Sequence, residues 1–280
     1  MSLPPLANLL AVRRDAPADA DAVERGLRED GRFAEVVRTA PGWVVGIAPL
    51  PHGTPDPPGV RAAGLFFAEG RDVAGASTRE GAANVARLAR ERPEHLAELP
   101  GDFTFLAFGP DRGARVVRSA AGRVPVYLAD GGRVIGTRLG WVASMLPAGP
   151  ELDPLGTGVW LTGLPVFPDG RSPVRGVEVL PRGALARIDE SGIHRATYWD
   201  PRPDRLQAPT ETRFREHAER LRSTLLATLS AELDPAGGNL LSLSGGIDSS
   251  SLLGLAGGTL GLPVSAISLV PASGPKVEVE

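Results

Sequence analysis

The sequence predicts two parts: an antiparallel sheet domain with some helices, then a strand–loop–helix–strand unit that begins a parallel α/β domain. Three observations predict this. Short apolar runs bounded by Gly, Pro and Asp recur between Trp43 and Trp199, with the length and punctuation of strands joined by hairpins. Asp200-Pro201-Arg202-Pro203-Asp204 then breaks the chain. Beyond it, a long amphipathic stretch leads into a Ser/Gly-rich turn between two further apolar runs, the pattern of one βαβ unit.

Within the first part, Asp21–Arg38 sets Val23, Leu27, Val36 and Val37 among charges, which is compatible with a short helix or two. Strands are expected at Trp43–Ala48, Gly64–Ala68, Phe103–Phe108, Arg115–Arg118, Val124–Ala129 and Arg133–Thr137. Asp130-Gly131-Gly132 supplies a hairpin turn between the last two. A helix is expected over Gly81–Arg92, where Val85, Leu88 and Ala89 share a face. Pro147–Pro154 reads as a joint, followed by strands at Val174–Val179, Gly183–Ile188 and Ile193–Trp199.

In the second part Thr210 caps a helix running to about Leu233, with Phe214, Ala218, Leu221, Leu225 and Leu229 at spacings of three and four. Asp234-Pro235-Ala236-Gly237-Gly238 ends it. Asn239–Leu243 is a short strand, Ser249–Ala256 a helix stopped by Gly257-Gly258, and Val264–Val270 a second strand.

Composition narrows the function classes. Hydrophobic residues make up 42% of the 280 and the net charge is −3, so the chain can bury a core and shows none of the basic excess that nucleic acid attracts. It has no cysteine, which removes disulfides, thiolate metal sites and cysteine nucleophiles together. No run approaches the ~20 apolar residues of a membrane-spanning helix, and Met1–Pro5 lacks the start of a signal peptide. The expectation is a cytoplasmic protein without nucleic-acid or membrane partners.

The chemistry concentrates in Leu243-Ser244-Gly245-Gly246-Ile247-Asp248-Ser249-Ser250. Adjacent glycines let the backbone turn sharply and come close to a ligand. The helix that follows turns its unpaired N–H groups and positive dipole end toward the turn. Ser244, Ser249 and Ser250 add hydroxyl donors, so the cradle suits an anion with many oxygens. Asp248 would repel bare phosphate and makes sense holding Mg²⁺ against it. No Gly-Lys-Ser/Thr ending is present, which excludes the ordinary Walker loop.

Ser-Gly-Gly-x-Asp-Ser-Ser resembles the pyrophosphate loop of the PP-loop ATP pyrophosphatases. Upstream, Leu99–Phe105, Arg118–Tyr127, Leu180-Pro181-Arg182-Gly183 and Tyr198-Trp199-Asp200 resemble, in order and spacing, segments of the class B asparagine synthetases. The resemblance implies an Ntn-hydrolase-like (αββα) domain over residues 1–200. It also implies the first part of an α/β PP-loop, adenine nucleotide α-hydrolase-like domain over 205–280. By the same resemblance Leu243, Ser244, Gly245, Gly246, Asp248, Ser249 and Ser250 bind ATP, Ile267 and Ser268 border the adenine, and Asp248 is the catalytic Mg²⁺ ligand.

Two departures shape the expectation. The family's glutaminase needs an N-terminal cysteine, whereas position 2 is Ser and Pro4-Pro5 follow; the nearest stretch to its Asn-Gly-Glu segment is Phe67-Ala68-Glu69-Gly70. Glutamine hydrolysis is therefore not expected, and the chain is most similar to the β-lactam and lasso-peptide macrolactam synthetases. The family's synthetase domain also extends well beyond this length, so a truncated chain or one part of a split enzyme is expected. The implied activity is an AMP-forming amide ligase acting on a small-molecule or peptide carboxylate, with a second polypeptide completing the domain. Two alternatives stay open: a glutamine-hydrolysing asparagine synthetase whose start is misassigned, and a catalytically incomplete nucleotide- or partner-binding fragment. His52, His95, His194 and His217 have no metal-ligand spacing, and Trp43, Trp141, Trp160 and Trp199 read as core or interface anchors.

Overall fold

The computed structural model describes residues 7–39, 42–49, 65–68, 71–73, 87–99, 104–108, 113–122, 124–163, 170–201 and 210–269. The expectations for Ser2, His52, Glu69-Gly70, Val85, 100–103, Arg123, 202–204 and the tail Pro271–Glu280 fall outside these residues. By contact the chain divides into two units, the first ending at Arg202 and the second running from Pro203.

Strand β1 (Ala7–Arg13) organises the first unit because both of its faces are covered. Leu9 and Ala11 point one way and Leu10 and Val12 the other, and all four are fully buried. On one side β1 pairs antiparallel with β3 (Trp43–Pro49), which pairs with β2 (Glu35–Thr39). On its other side it pairs with β9 (Val134–Gly136), followed by β8 (Tyr127–Ala129) and β10 (Val177–Val179). The second sheet runs β12 (Gly192–Thr197), β11 (Ala184–Asp189), β7 (Ala114–Arg118), β6 (Thr104–Phe108), β4 (Leu65–Ala68) and β5 (Arg71–Val73).

Period-two alternation then builds layers. Trp43, Val45 and Ile47 of the first sheet meet Leu106, Phe108, Val116 and Ala186 of the second in one apolar cluster. There the rings of Trp43 and Phe108 lie 5.0 Å apart. The far face of the first sheet packs Val12 and Val44 with Ala20 and Leu27 of α1 (Pro17–Glu29) and Val142 of α2 (Leu139–Ser144). The far face of the second packs Phe105 and Val117 against Leu88, Ala89 and Leu96, which lie in the helical residues 87–91 and the 3₁₀ turn Pro93–Glu98. The order is helix, sheet, sheet, helix.

Several expectations need correction. β1 lies where the sequence offered no element. The apolar stripe Ala20, Val23, Leu27 forms α1, but Val36 and Val37 lie in β2, one on each face of the sheet. Not every pair is antiparallel, since β4 and β6 run parallel; the 35 residues joining them in sequence are ample for the crossover such a pair needs. Pro154, the last residue of the expected joint, opens a helix, α3 (Pro154–Leu161), where no element was expected: Asp153 accepts a 2.6 Å bond from the Gly156 N–H, and Pro154 fills the first turn, where no donor is needed. Asp130-Gly131-Gly132 does turn β8 into β9, with all three residues at positive φ.

In the second unit Thr210 caps α4 (Glu211–Glu232), its hydroxyl accepting from the Arg213 N–H. β13 (Asn239–Ser242) and β14 (Val264–Ile267) pair in parallel across α5 (Ile247–Leu253). Gly257-Gly258 do not stop that helix. They sit inside a π-helical continuation, Gly254–Thr259, where Leu260 N–H reaches the Leu255 carbonyl at 2.9 Å. Glycine here relaxes the helix without ending it. Among the described residues of this unit only Asn239 and Ala256 are buried, and Phe214, Leu221 and Leu240 are each more than 60% exposed. The α4 stripe therefore keeps its spacing without forming a closed core.

Among the described residues no helix is long and apolar enough to cross a membrane.

Candidate nucleotide site

The loop 243–250 is anchored at both ends before any ligand is considered. Leu243 extends the β13–β14 ladder by one step: its N–H donates to the Ile267 carbonyl at 2.8 Å, and its carbonyl accepts from the Ser268 hydroxyl at 2.8 Å. Gly245 then turns the chain at φ +77°, a region where a Cβ is strained even though open space surrounds this one. Gly246 is the cap residue of α5, and its carbonyl takes the helix's first bond, from Ser250 N–H at 3.1 Å. The N–H groups of Ile247, Asp248 and Ser249 lie ahead of that bond, as the first donors of any helix do.

Two hydroxyls brace the turn. Ser244 and Ser249 oxygens lie 3.1 Å apart, Ser249 also accepts from the Ser244 N–H at 3.2 Å, and Ser244 accepts from the Gly246 N–H at 3.4 Å. Ser244, Asp248 and Ser250 are exposed. The Asp248 carboxylate has no hydrogen bond or ion pair with any described residue and is exposed. All nine residues picked from sequence thus fall in one place, but not in equal roles. Leu243 and Ser268 are committed to each other's segment and hold the loop's base. Ile267 contributes its carbonyl to that ladder and is half exposed.

Sequence reading missed the residue that sets the spacing of the two strands. Asn239, buried at the start of β13, accepts from the Asp234 N–H and donates to the carbonyls of Asp234 and Pro263, all at 2.8–2.9 Å. It thereby ties the turn before β13 to the residue before β14. An Asn immediately after a Gly pair was the available signal.

In the first unit the upstream segments converge on Arg118. Its buried guanidinium donates to the carbonyls of Gly122 and Leu180, the latter at 2.7 Å, and the Arg118 carbonyl accepts from the Tyr198 hydroxyl at 2.8 Å. Gly183 N–H donates to the Ser119 carbonyl at 3.1 Å. Residues 118–122, 180–183 and 198–199 therefore form one hydrogen-bonded corner.

A Ser–His–Asp cluster at the β11–β12 turn is a different matter. Ser191 Oγ lies 2.5 Å from Asp189 Oδ1 and 2.8 Å from His194 Nε2, and that same nitrogen lies 3.3 Å from Asp189. A catalytic triad needs the carboxylate on the other ring nitrogen. Asp189 instead accepts from both the hydroxyl and the N–H of Ser191, which closes the hairpin. These bonds, the hydroxyl's first, hold its carboxyl at about 2.

No group of three or more His, Asp or Glu residues placed to hold a metal occurs among the described residues. No protein-family model matches the chain, and no curated protein matches it significantly.

Proposed function

We propose that the chain is the nucleotide-gripping part of an AMP-forming amide ligase of the asparagine-synthetase type, one that does not depend on glutamine. The observation that carries the proposal is the loop 243–250. A positive-φ glycine, a helix start, three serines and a carboxylate with no partner among the described residues follow one another between two parallel strands. The helix–sheet–sheet–helix order of the first unit supports reading it as an Ntn-hydrolase-like (αββα) domain. The corner at Arg118 supports the same reading, since three of the segments that carry the resemblance meet there.

In this reading the amides of Ile247–Ser249 and the hydroxyls of Ser244 and Ser250 receive the terminal phosphates of ATP and hold the departing pyrophosphate. A substrate carboxylate attacks the α-phosphorus, pyrophosphate leaves, and an amine then displaces AMP from the acyl-adenylate. The donor set fits Mg²⁺, which takes oxygen ligands and commonly only one or two from protein: Asp248 presents an unshared carboxylate beside the cradle. Bound there, Mg²⁺ would supply positive charge against the leaving pyrophosphate. Asp248→Ala in the complete enzyme is expected to abolish pyrophosphate release without changing the melting temperature. Undiminished turnover by that variant refutes the role.

A second reading has an observation in its favour. Leu240 and Ile267, on the two paired strands, and Leu269 just past them are 67%, 50% and 94% exposed, whereas a parallel sheet is covered on both faces. The proposal therefore includes further polypeptide, in the same chain or a second one, that completes this unit. Pyrophosphate release that requires an added polypeptide supports a split enzyme; release by the 280 residues alone excludes it.

A further inference from the structure

The first unit carries an open cavity of ≈ 630 Å³. It lies where β1 begins, β3 ends and α2 starts, and its wall includes Asn8, Arg32, Ala48, Arg138, Trp141 and Ser144. That volume is in the range of small-molecule sites. Among the described residues no carboxylate lines it, while two guanidiniums do.

The two arginines differ. Arg32 is held in a fork by Asp30 and lies over the Trp141 ring, 5.6 Å from its centroid. Arg138 has no carboxylate partner among the described residues. Its Nε donates to Asn8 Oδ1 at 3.1 Å, which fixes the guanidinium and leaves its two terminal nitrogens without an acceptor among the described residues. The same Asn8 oxygen accepts from Thr137 at 3.3 Å, so the amide is oriented with its NH₂ group to spare. Ser144 donates to the Trp141 carbonyl at 2.8 Å, which fixes its hydroxyl too. Beside these donors stands a half-buried indole backed by Phe33, ring centroids 4.9 Å apart.

We infer that this cavity binds a small molecule that joins an oxyanion to a flat apolar body, the anion on Arg138 and Asn8 and the flat body against the part of Trp141 that lines the cavity beside Arg32. A guanidinium fork recognises a carboxylate or phosphate edge through two parallel bonds. The ring beside it adds apolar contact that a bare ion cannot use. This inference does not depend on the nucleotide reading of the loop.

The test follows the Trp141 indole and Gly140 amide resonances of the full chain during titration with benzoate, phenyl phosphate, inorganic phosphate and benzyl alcohol. One or both aryl anions are expected to shift these signals saturably, with a dissociation constant of about 1 mM or tighter, and the tighter of the two identifies carboxylate or phosphate as the natural group. Arg138→Gln is expected to weaken that binding about tenfold, with Arg138→Lys between it and the native chain. An unchanged melting temperature shows that the exposed substitution leaves the fold intact. Benzyl alcohol binding as tightly as the anions, inorganic phosphate binding as tightly as phenyl phosphate, no saturation by either aryl anion, or unaltered affinity in Arg138→Gln would each overturn the inference.

Discussion

Three glycine-to-alanine substitutions separate what a Cβ costs by strain from what it costs by collision. Gly183, at φ +64°, is buried at the Arg118 corner, and an added Cβ would lie 2.6 Å from the Trp199 carbonyl oxygen and 2.9 Å from the Trp199 Cβ. That carbonyl cannot easily retreat, because Tyr198 and Trp199 N–H groups both donate to the Gly183 carbonyl, at 2.9 and 3.1 Å. Left-handed backbone costs a non-glycine residue roughly 1–2 kcal/mol, and forcing atoms into a packed site adds about 1–3 kcal/mol. Gly183→Ala should therefore cost roughly 2–5 kcal/mol on those terms. Gly131 sits at φ +60° with nothing within 4 Å of its would-be Cβ, so Gly131→Ala should cost the strain alone, about 1–2 kcal/mol. Gly26 lies inside α1, also with open space, and Gly26→Ala should stabilise by about 0.5–1 kcal/mol. Urea unfolding followed by tryptophan fluorescence reads the series, since all four Trp residues precede position 200. A Gly183→Ala variant no less stable than Gly131→Ala would refute the collision, which would then be relieved at no cost.

Three further outcomes are expected. Asn239→Ala removes three hydrogen bonds at a largely buried site and should cost about 1–3 kcal/mol, read as faster amide exchange in β13 and β14; unchanged exchange would show that the tie between the strands is idle. The Asp189 carboxyl lies at about 2 against an ordinary 3.8, chiefly because the Ser191 hydroxyl donates to it. A lowered folded value means that its contribution to stability is present above the ordinary value and lost as pH falls through about 2. The urea midpoints of native chain and Asp189→Asn should therefore converge on acidification below pH ~4, and a gap that stays constant to pH ~2 contradicts the sign. Ser268→Ala frees the Leu243 carbonyl and should loosen the base of the loop; if the loop holds ATP as proposed, ATP affinity falls several-fold while the first unit's unfolding stays unchanged, and an unaltered affinity would show that this bond does not support the loop.

What could be read from sequence, and what could not, follows from how local each signal is. The hairpin at Asp130–Gly132 was legible because three residues specify the turn, and α4 because its cap and its stripe are contiguous. β1 was not legible. A strand covered on both faces has no polar side to alternate with its apolar one, so Leu9–Val12 carries no period. α3 is hard to read because its first residue, Pro154, closes a Pro/Gly-rich stretch that looks like a break, although Asp153-Pro154 is itself a helix start. Gly257-Gly258 misled in the opposite direction: glycine usually follows a helix, and here the helix widens through it.

The same distinction separates the loop from the cavity beside Trp141. The loop 243–250 is one continuous stretch, so its residues come together by covalent necessity, and only their division of labour depends on the fold around them. Asn8 and Arg138 lie 130 positions apart and meet only because β9 pairs with β1, which no local pattern announces. The loop, however, possesses positioning without seclusion. Donors aimed at a leaving phosphate are worth most where water is excluded, yet Ile247 beside Asp248 is 84% exposed and Leu269 past the adjoining strand 94%. Apolar side chains at the rim of an anion cradle do nothing for the anion itself; they suit a cover that dries it. If the loop is the site of adenylation, catalytic rate should follow the burial of Ile247 more closely than nucleotide affinity does, since the cradle's donors are already in place and the cover is what remains to be added.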